Sequence, residues 1–190
     1  MIERIRERLL RSASLKEEMV KETADLIARI AELIIQVIRT EGKVLLCGNG
    51  GSAADCQHFA GEMVGRFRLE RKGIPVIALS TDTSVLTAIS NDYGFETVFA
   101  RQVEALGRPG DLLIAFSTSG SSPNVLRAVE TARKIGMSTV GFTGGEGGKL
   151  KDLVDVPLIV PAEGSPLIQE GHLTAYHIVC ELVEEQISRW

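Results

Sequence analysis

Hydrophobic positions along the chain recur in two rhythms. Over residues 2–39 they fall three to five apart: Leu9, Leu10, Leu15, Met19 and Val20, then, at cleaner helical spacing, Leu26, Ile27, Ile30, Leu33, Ile34, Val37 and Ile38. That spacing predicts helix. The Ser-Ala-Ser run at residues 12–14 is expected to divide it in two, and Gly42 to stop the second piece. The apolar stripe is wide enough to require a partner, either the body of the domain or another subunit. From residue 43 the rhythm changes to short apolar runs alternating with helical segments. Strands are expected at residues 44–47, 76–79, 112–116, 139–142 and 156–160, and helical segments at 52–64, 84–105, 125–135, 149–154 and 165–188. Continuous apolar strands separated by amphipathic helices imply a parallel sheet covered on both faces. The expected class is therefore α/β, a three-layer αβα sandwich on a five-stranded parallel sheet. Residues 1–190 read as one domain, with residues 1–40 as a helical segment used for packing and oligomerisation.

Ligands of such sheets bind at the carboxyl ends of the strands. Two strand-to-helix turns belong on that edge: Gly48-Asn49-Gly50-Gly51-Ser52 and Ser117-Thr118-Ser119-Gly120-Ser121-Ser122. The second places five hydroxyls and a glycine between a buried strand and the helix opened by Pro123. The first N–H groups of a helix lack internal partners and its dipole favours negative charge there, so such a turn makes an anion site. No Lys or Arg lies in it, which points to a small phosphate ester held by hydrogen bonds. Helix capping is the simpler reading of these serines, but one would suffice for it. The Gly48-x-Gly50-x-x-Ala53 pattern is a weak match to a dinucleotide fingerprint, because the acidic residue that should follow the second strand, Asp82, comes about ten residues too late. Residues 144–148, Gly-Gly-Glu-Gly-Gly, read as a flexible turn inside the domain.

Composition narrows the function classes. A formal charge of −4 and an isoelectric point near 5.5 leave no electrostatic footprint for nucleic acid. Arg4, Arg6, Arg8 and Arg11 alternate with Glu3 and Glu7 as a solvated helix face. Cys47, Cys56 and Cys180 are odd in number and scattered, so neither a disulfide framework nor a thiolate metal site is suggested. No apolar run approaches a membrane span, and the start lacks the apolar core of a secretion signal. A cytoplasmic protein is expected.

Two clusters could do chemistry. His58 and Glu62 lie four apart and so share one helix face. Such a pair suits metal ligation or acid–base work, and is also common on solvated helices. The last helix carries Gln169, His172, Leu173, Tyr176, His177 and Cys180 on one stripe. That stripe is polar for a core face; it either lines a cavity or holds satisfied core histidines.

Five motifs then occur in order: Gly48-Asn49-Gly50-Gly51-Ser52, His58-Phe59-Ala60-Gly61-Glu62, Ile89-Ser90-Asn91-Asp92, Ser117-Thr118-Ser119-Gly120 and Ile168-Gln169-Glu170-Gly171-His172. In this register, over nearly the whole length, the chain resembles the phosphoheptose isomerases of the sugar isomerase (SIS) fold. The resemblance implies interconversion of sedoheptulose 7-phosphate and D-glycero-D-manno-heptose 7-phosphate, a homotetramer with active sites at subunit interfaces, and one zinc ion per subunit. It implies metal ligands at His58, Glu62, Gln169 and His177, and a catalytic base and acid at Glu62 and His177. It implies substrate contacts at Asn49, Gly50, Gly51, Ser52, Glu62, Asn91, Asp92, Ser117, Thr118, Ser119, Ser122 and Gln169. A carboxylate cannot be a tightly held ligand and a free base at once, so the Glu62 contact is expected to loosen during turnover. Gln169 and His177 are eight residues apart, roughly 12 Å along one helix axis. Either both lean toward one metal over Leu173, or they come from different subunits. A non-catalytic SIS relative that binds the bacterial replication initiator is the alternative; it lacks the catalytic Glu and His, both present here.

Overall fold

The computed structural model describes residues 1–190. Two helices, α1 (Ile2–Glu22) and α2 (Ala24–Arg39), precede the alternation β1 (Val44–Gly48), α3 (Gly51–Val64), β2 (Val76–Ala78), α4 (Thr83–Tyr93), α5 (Val98–Leu106), β3 (Leu112–Phe116), α6 (Pro123–Ile135), β4 (Ser138–Gly144), α7 (Leu150–Leu153), β5 (Val156–Val160) and α8 (Ser165–Ile187). The helix break expected at residues 12–14 lies instead at Thr23. Isolated serines cost a helix only a few tenths of a kcal/mol, and here Ser12 Oγ accepts a hydrogen bond from Lys16 Nζ at 3.0 Å. Thr23 is fully buried and donates its hydroxyl back to the Met19 carbonyl at 2.8 Å. Such back-bonding competes with the helical ladder and bends the chain.

The five strands are all parallel, in the order β2-β1-β3-β4-β5. Every residue of β1 and β3 is buried, which explains their uninterrupted apolar runs. Alternate side chains enter different layers. Leu46, Ile114, Phe116 and Phe142 meet Ile30, Ile34, Phe59 and Tyr176 on the side covered by α2, α3 and α8. Leu45, Leu113 and Ala115 meet Val103, Val125 and Val129 on the side of α5 and α6. The chain leaves β1 for β2 in one direction along the sheet and proceeds from β3 in the other. The crevice at such a switch point is where α/β sheets receive ligands, and the turns after β1 and β3 flank it. Cys47, Cys56 and Cys180 are buried free thiols. No helix is long and apolar enough to cross a membrane.

Candidate active site

The hydroxyl turn is built by side chains that face one another, not by helix caps. Ser122 occupies the N-cap of α6 yet makes no capping bond; its Oγ lies 3.0 Å from Ser117 Oγ. Thr118 Oγ1 lies 3.1 Å from Ser165 Oγ at the start of α8. Ser119 Oγ accepts from the Ser121 N–H at 3.3 Å. Gly120 turns the chain at φ +61°, and a Cβ there would collide with the Gly147 carbonyl. The 144–148 turn, expected to be flexible, is thus the packed backing of the hydroxyl turn, and just beyond it the Leu150 N–H at the start of α7 donates to the Gly120 carbonyl at 2.9 Å.

Around the first glycine turn, Gly50 and Gly51 are exposed, while Ser52 is buried against Gly48. Asn49 exchanges two side-chain hydrogen bonds with Asn124. The Gln169 amide lies where a Cβ on Gly51 would have to go, so α8 closes over this turn. Asn91 and Asp92 end α4, exposed, with Asn91 Nδ2 donating to Asp92 Oδ1 at 2.8 Å. Their side chains reach no other candidate residue of the same chain.

His58, Glu62 and His177 converge where α3 meets α8. One ligand atom of each lies within 4.8 Å of the other two. His58 Nε2 is 3.0 Å from Glu62 Oε1 and 3.4 Å from His177 Nε2. A tetrahedral zinc ion with bonds near 2.0 Å holds its ligand atoms about 3.3 Å apart, so the spacing and the His-Glu-His donor set both fit such an ion. His58 Nδ1 lies 3.0 Å from the Tyr176 hydroxyl. When Nδ1 donates there, the Nε2 lone pair is left facing Glu62 and His177, the usual outer support of a metal-bound imidazole. Phe59 stacks on Tyr176 at 5.3 Å and holds that ring in place. Asp55, one turn before His58, has a buried Oδ2 with no hydrogen-bond partner. Burial pushes its carboxyl up to about 6, against the opposing pull of the His58 charge and the Tyr176 hydroxyl. His177 is shifted down by burial and by the His58 charge, while Glu62 opposes the shift.

A second pair of buried groups holds this convergence. The backbone N–H groups of Phe67, Arg68 and Leu69 donate to the Glu184 carboxylate at 2.8, 2.6 and 2.8 Å. Arg71 Nε lies 3.3 Å from Glu184 Oε1, both side chains 2% exposed, and Arg71 Nη2 donates to the Glu62 carbonyl at 2.8 Å. Burial alone would raise the Glu184 carboxyl; the three N–H donors and Arg71 outweigh it and hold it below its ordinary value. The loop so clamped sets the Phe67 ring 5.6 Å from His177.

The two open readings of the α8 stripe are both realised, by different residues. His177 joins the convergence, whereas His172 is a fully buried core histidine bonded through Nε2 to the Thr143 carbonyl at 3.1 Å. Burial pushes His172 down to about 4, opposed only by that bond. Its folded value lies below the unfolded one, so between pH 6.5 and about 4 the unfolded chain gains a proton that the folded chain does not. Stability should therefore fall as pH falls from 7 to 4, by about 3 kcal/mol from this residue. Urea unfolding at both pH values checks this; His172→Gln should flatten the difference, and an unchanged slope would refute it.

The convergence does not lie on the rim of the sheet. His58 is seven residues past Gly51 on α3, roughly 10 Å along the axis. Gln169 sits at the rim and His177 two turns below it. Within one chain the hydroxyl turn and the His-Glu-His group are thus separate features of one face.

A SIS-domain profile matches residues 10–144. The phosphoheptose isomerase of Roseiflexus sp. (strain RS-1) is 58% identical over 93% of this chain and 89% of its own. That of Helicobacter pylori (strain P12) is 51% identical over 96% and 92%. The chain belongs to the phosphoheptose isomerase family of SIS-domain proteins. Its fold superposes on the solved phosphoheptose isomerase of Neisseria gonorrhoeae with a TM-score of 0.92 at 44% identity, covering 96% of this chain and 98% of that one. The chain is therefore an isomerase, and the binding-protein alternative is disfavoured. Sequence reasoning had assigned no role to Asp55, Asn124, Arg71 or Glu184. Asp55 had one available signal, its place one turn from His58 on the same helix.

Proposed function

We propose that the protein interconverts sedoheptulose 7-phosphate and D-glycero-D-manno-heptose 7-phosphate by proton transfer through an enediolate, the step that opens bacterial ADP-heptose synthesis for the lipopolysaccharide core. The observation that carries this reading is the meeting of the Glu62 carboxylate and the His177 imidazole within 4.8 Å, on a fold whose rim offers a lysine-free hydroxyl turn. Ser117, Thr118, Ser119 and Ser122 take the phosphate, helped by the N-terminus of α6. Asn49, Gly50, Gly51, Ser52, Asn91, Asp92 and Gln169 contact the sugar. Glu62 removes the proton beside the carbonyl. His177 supplies one to the carbonyl or ring oxygen; its lowered proton affinity makes its charged form the stronger acid.

His58, Glu62 and His177 would hold a zinc ion, which when bound polarises the sugar oxygen as a Lewis acid. Glu62 and His177 stand in both sets, and neither can hold an ion through the atom that carries a proton, so each would have to loosen its hold as it takes or gives one. Gln169 would be the fourth ligand. Its place against Gly51, roughly 12 Å from His177 along α8, favours donation from a neighbouring copy. The same separation favours a site completed across a homotetramer. The expected partner is the small sugar phosphate itself, in the cytoplasm: a net charge of −4 gives no footprint for nucleic acid, and no helix is long and apolar enough to cross a membrane. Ile2, Ile5, Leu9, Leu10 and Val20 of α1 are each about half or more exposed in the single chain and supply an apolar surface for that assembly.

Proton NMR of the protein with sedoheptulose 7-phosphate should show the aldose appearing. Stripping metal with a chelator should slow the reaction at least about tenfold, and zinc should restore it. Zinc-loaded protein without turnover would overturn the reading.

A further inference from the structure

Asn124 has no part in the reaction described above, yet its side chain is tightly held at the rim. It is the second residue of α6 and only 2% exposed. Its Oδ1 accepts from the Val125 N–H at 3.0 Å and from Asn49 Nδ2 at 2.8 Å, while its Nδ2 donates to Asn49 Oδ1 at 2.9 Å. These bonds fix the orientation of both amides. A backbone N–H can only donate, so the Asn124 atom facing Val125 is oxygen. The Asn49 atom facing that oxygen is then nitrogen, and the remaining pair follows. Turning either amide over would oppose two N–H groups and two oxygens. Asn49 is thereby left with one N–H and one oxygen lone pair, in fixed places, at the mouth of the first glycine turn.

The same pair spans two chain segments. Asn49 follows β1 and Asn124 follows β3, neighbouring strands whose last paired residues are Gly48 and Phe116. No other side-chain hydrogen bond joins the glycine turn to the hydroxyl turn. We propose that Asn124 is a positioning residue for the sugar phosphate site: it holds the Asn49 amide in one orientation and keeps the two turns at one separation. This rests on the proposed function in one respect, that Asn49 touches the substrate.

Steady-state kinetics on sedoheptulose 7-phosphate tests it with Asn49→Ala, Asn124→Ala and the double variant. Each single change should raise KM about tenfold with kcat altered less than about threefold. The double variant should be no worse than Asn49→Ala alone, because both changes remove one shared arrangement. Multiplication of the two effects to about a hundredfold would overturn the proposal. So would an Asn124→Ala enzyme with a lowered urea midpoint and an unchanged KM, the signature of a structural role alone. If Asn49→Ala leaves KM unchanged, the substrate contact at Asn49 is wrong and the proposal falls with it. Asn124→Leu, close in volume and without an amide, gives the same readings if the alanine variant does not fold.

Discussion

Glu62→Gln should lower kcat on the order of 1,000-fold or more while the fold survives. The amide is nearly the same size as the carboxylate but cannot take a proton from carbon, and proton transfer by a placed group contributes about 100- to 10,000-fold. It is also a poorer metal ligand than a carboxylate. Packing gives little reason for a fold defect: the Glu62 side chain is 24% exposed and its side-chain hydrogen bond goes to His58. What fixes this part of the backbone is the bond from Arg71 to the Glu62 carbonyl, which the substitution leaves in place. Circular dichroism should match the parent protein while the NMR assay shows no aldose. Turnover within tenfold of the parent would remove Glu62 from the role of base.

Glu184→Ala should be the most destabilising single change around the site. It strips three backbone N–H groups of their acceptor and leaves the buried Arg71 guanidinium without its counter-charge. Removing one member of a buried ion pair costs about 3–5 kcal/mol, because the remaining charge stays out of water. For a chain of this length the midpoint of thermal unfolding should drop by roughly 10 °C. Residues 67–69 lose their anchor, and with it the Phe67 ring beside His177. Zinc affinity should fall with stability, as measured by competition with a chromophoric chelator. A loss below about 1 kcal/mol in urea would mean that the loop is held by other contacts.

The layers of the fold were legible because they depend on local patterns. Uninterrupted apolar runs at β1 and β3 are what strands buried on both faces require, and all five strands appear within two residues of where those runs lie. The helix break was misplaced because Ser12 and Ser14 resemble a breaker by composition, whereas Thr23 acts through a buried bond to Met19 that only the folded helix makes. The 144–148 turn looked mobile for the same reason. Glycines read locally as freedom, but Gly120 and Gly148 allow two backbones to approach where a Cβ on either would collide.

For the site, the sequence alone determined which residue types were at hand: the hydroxyl turn, the glycine turn, and the His58–Glu62 pair whose i,i+4 spacing needs nothing beyond helix geometry. It could not divide the α8 stripe: His172 and His177, five residues apart, stand at its opposite edges, roughly 140° apart around the helix, and the sequence does not say which edge meets the core and which meets α3. Only tertiary structure decided that division, brought His177 to α3 across more than a hundred residues of chain, and paired Asn49 with Asn124. Periodicity reports which face of an element is buried. Which two elements then meet, and at what depth below the rim, follows from the strand order and the close packing of the layers, neither of which is written in any single stretch of sequence.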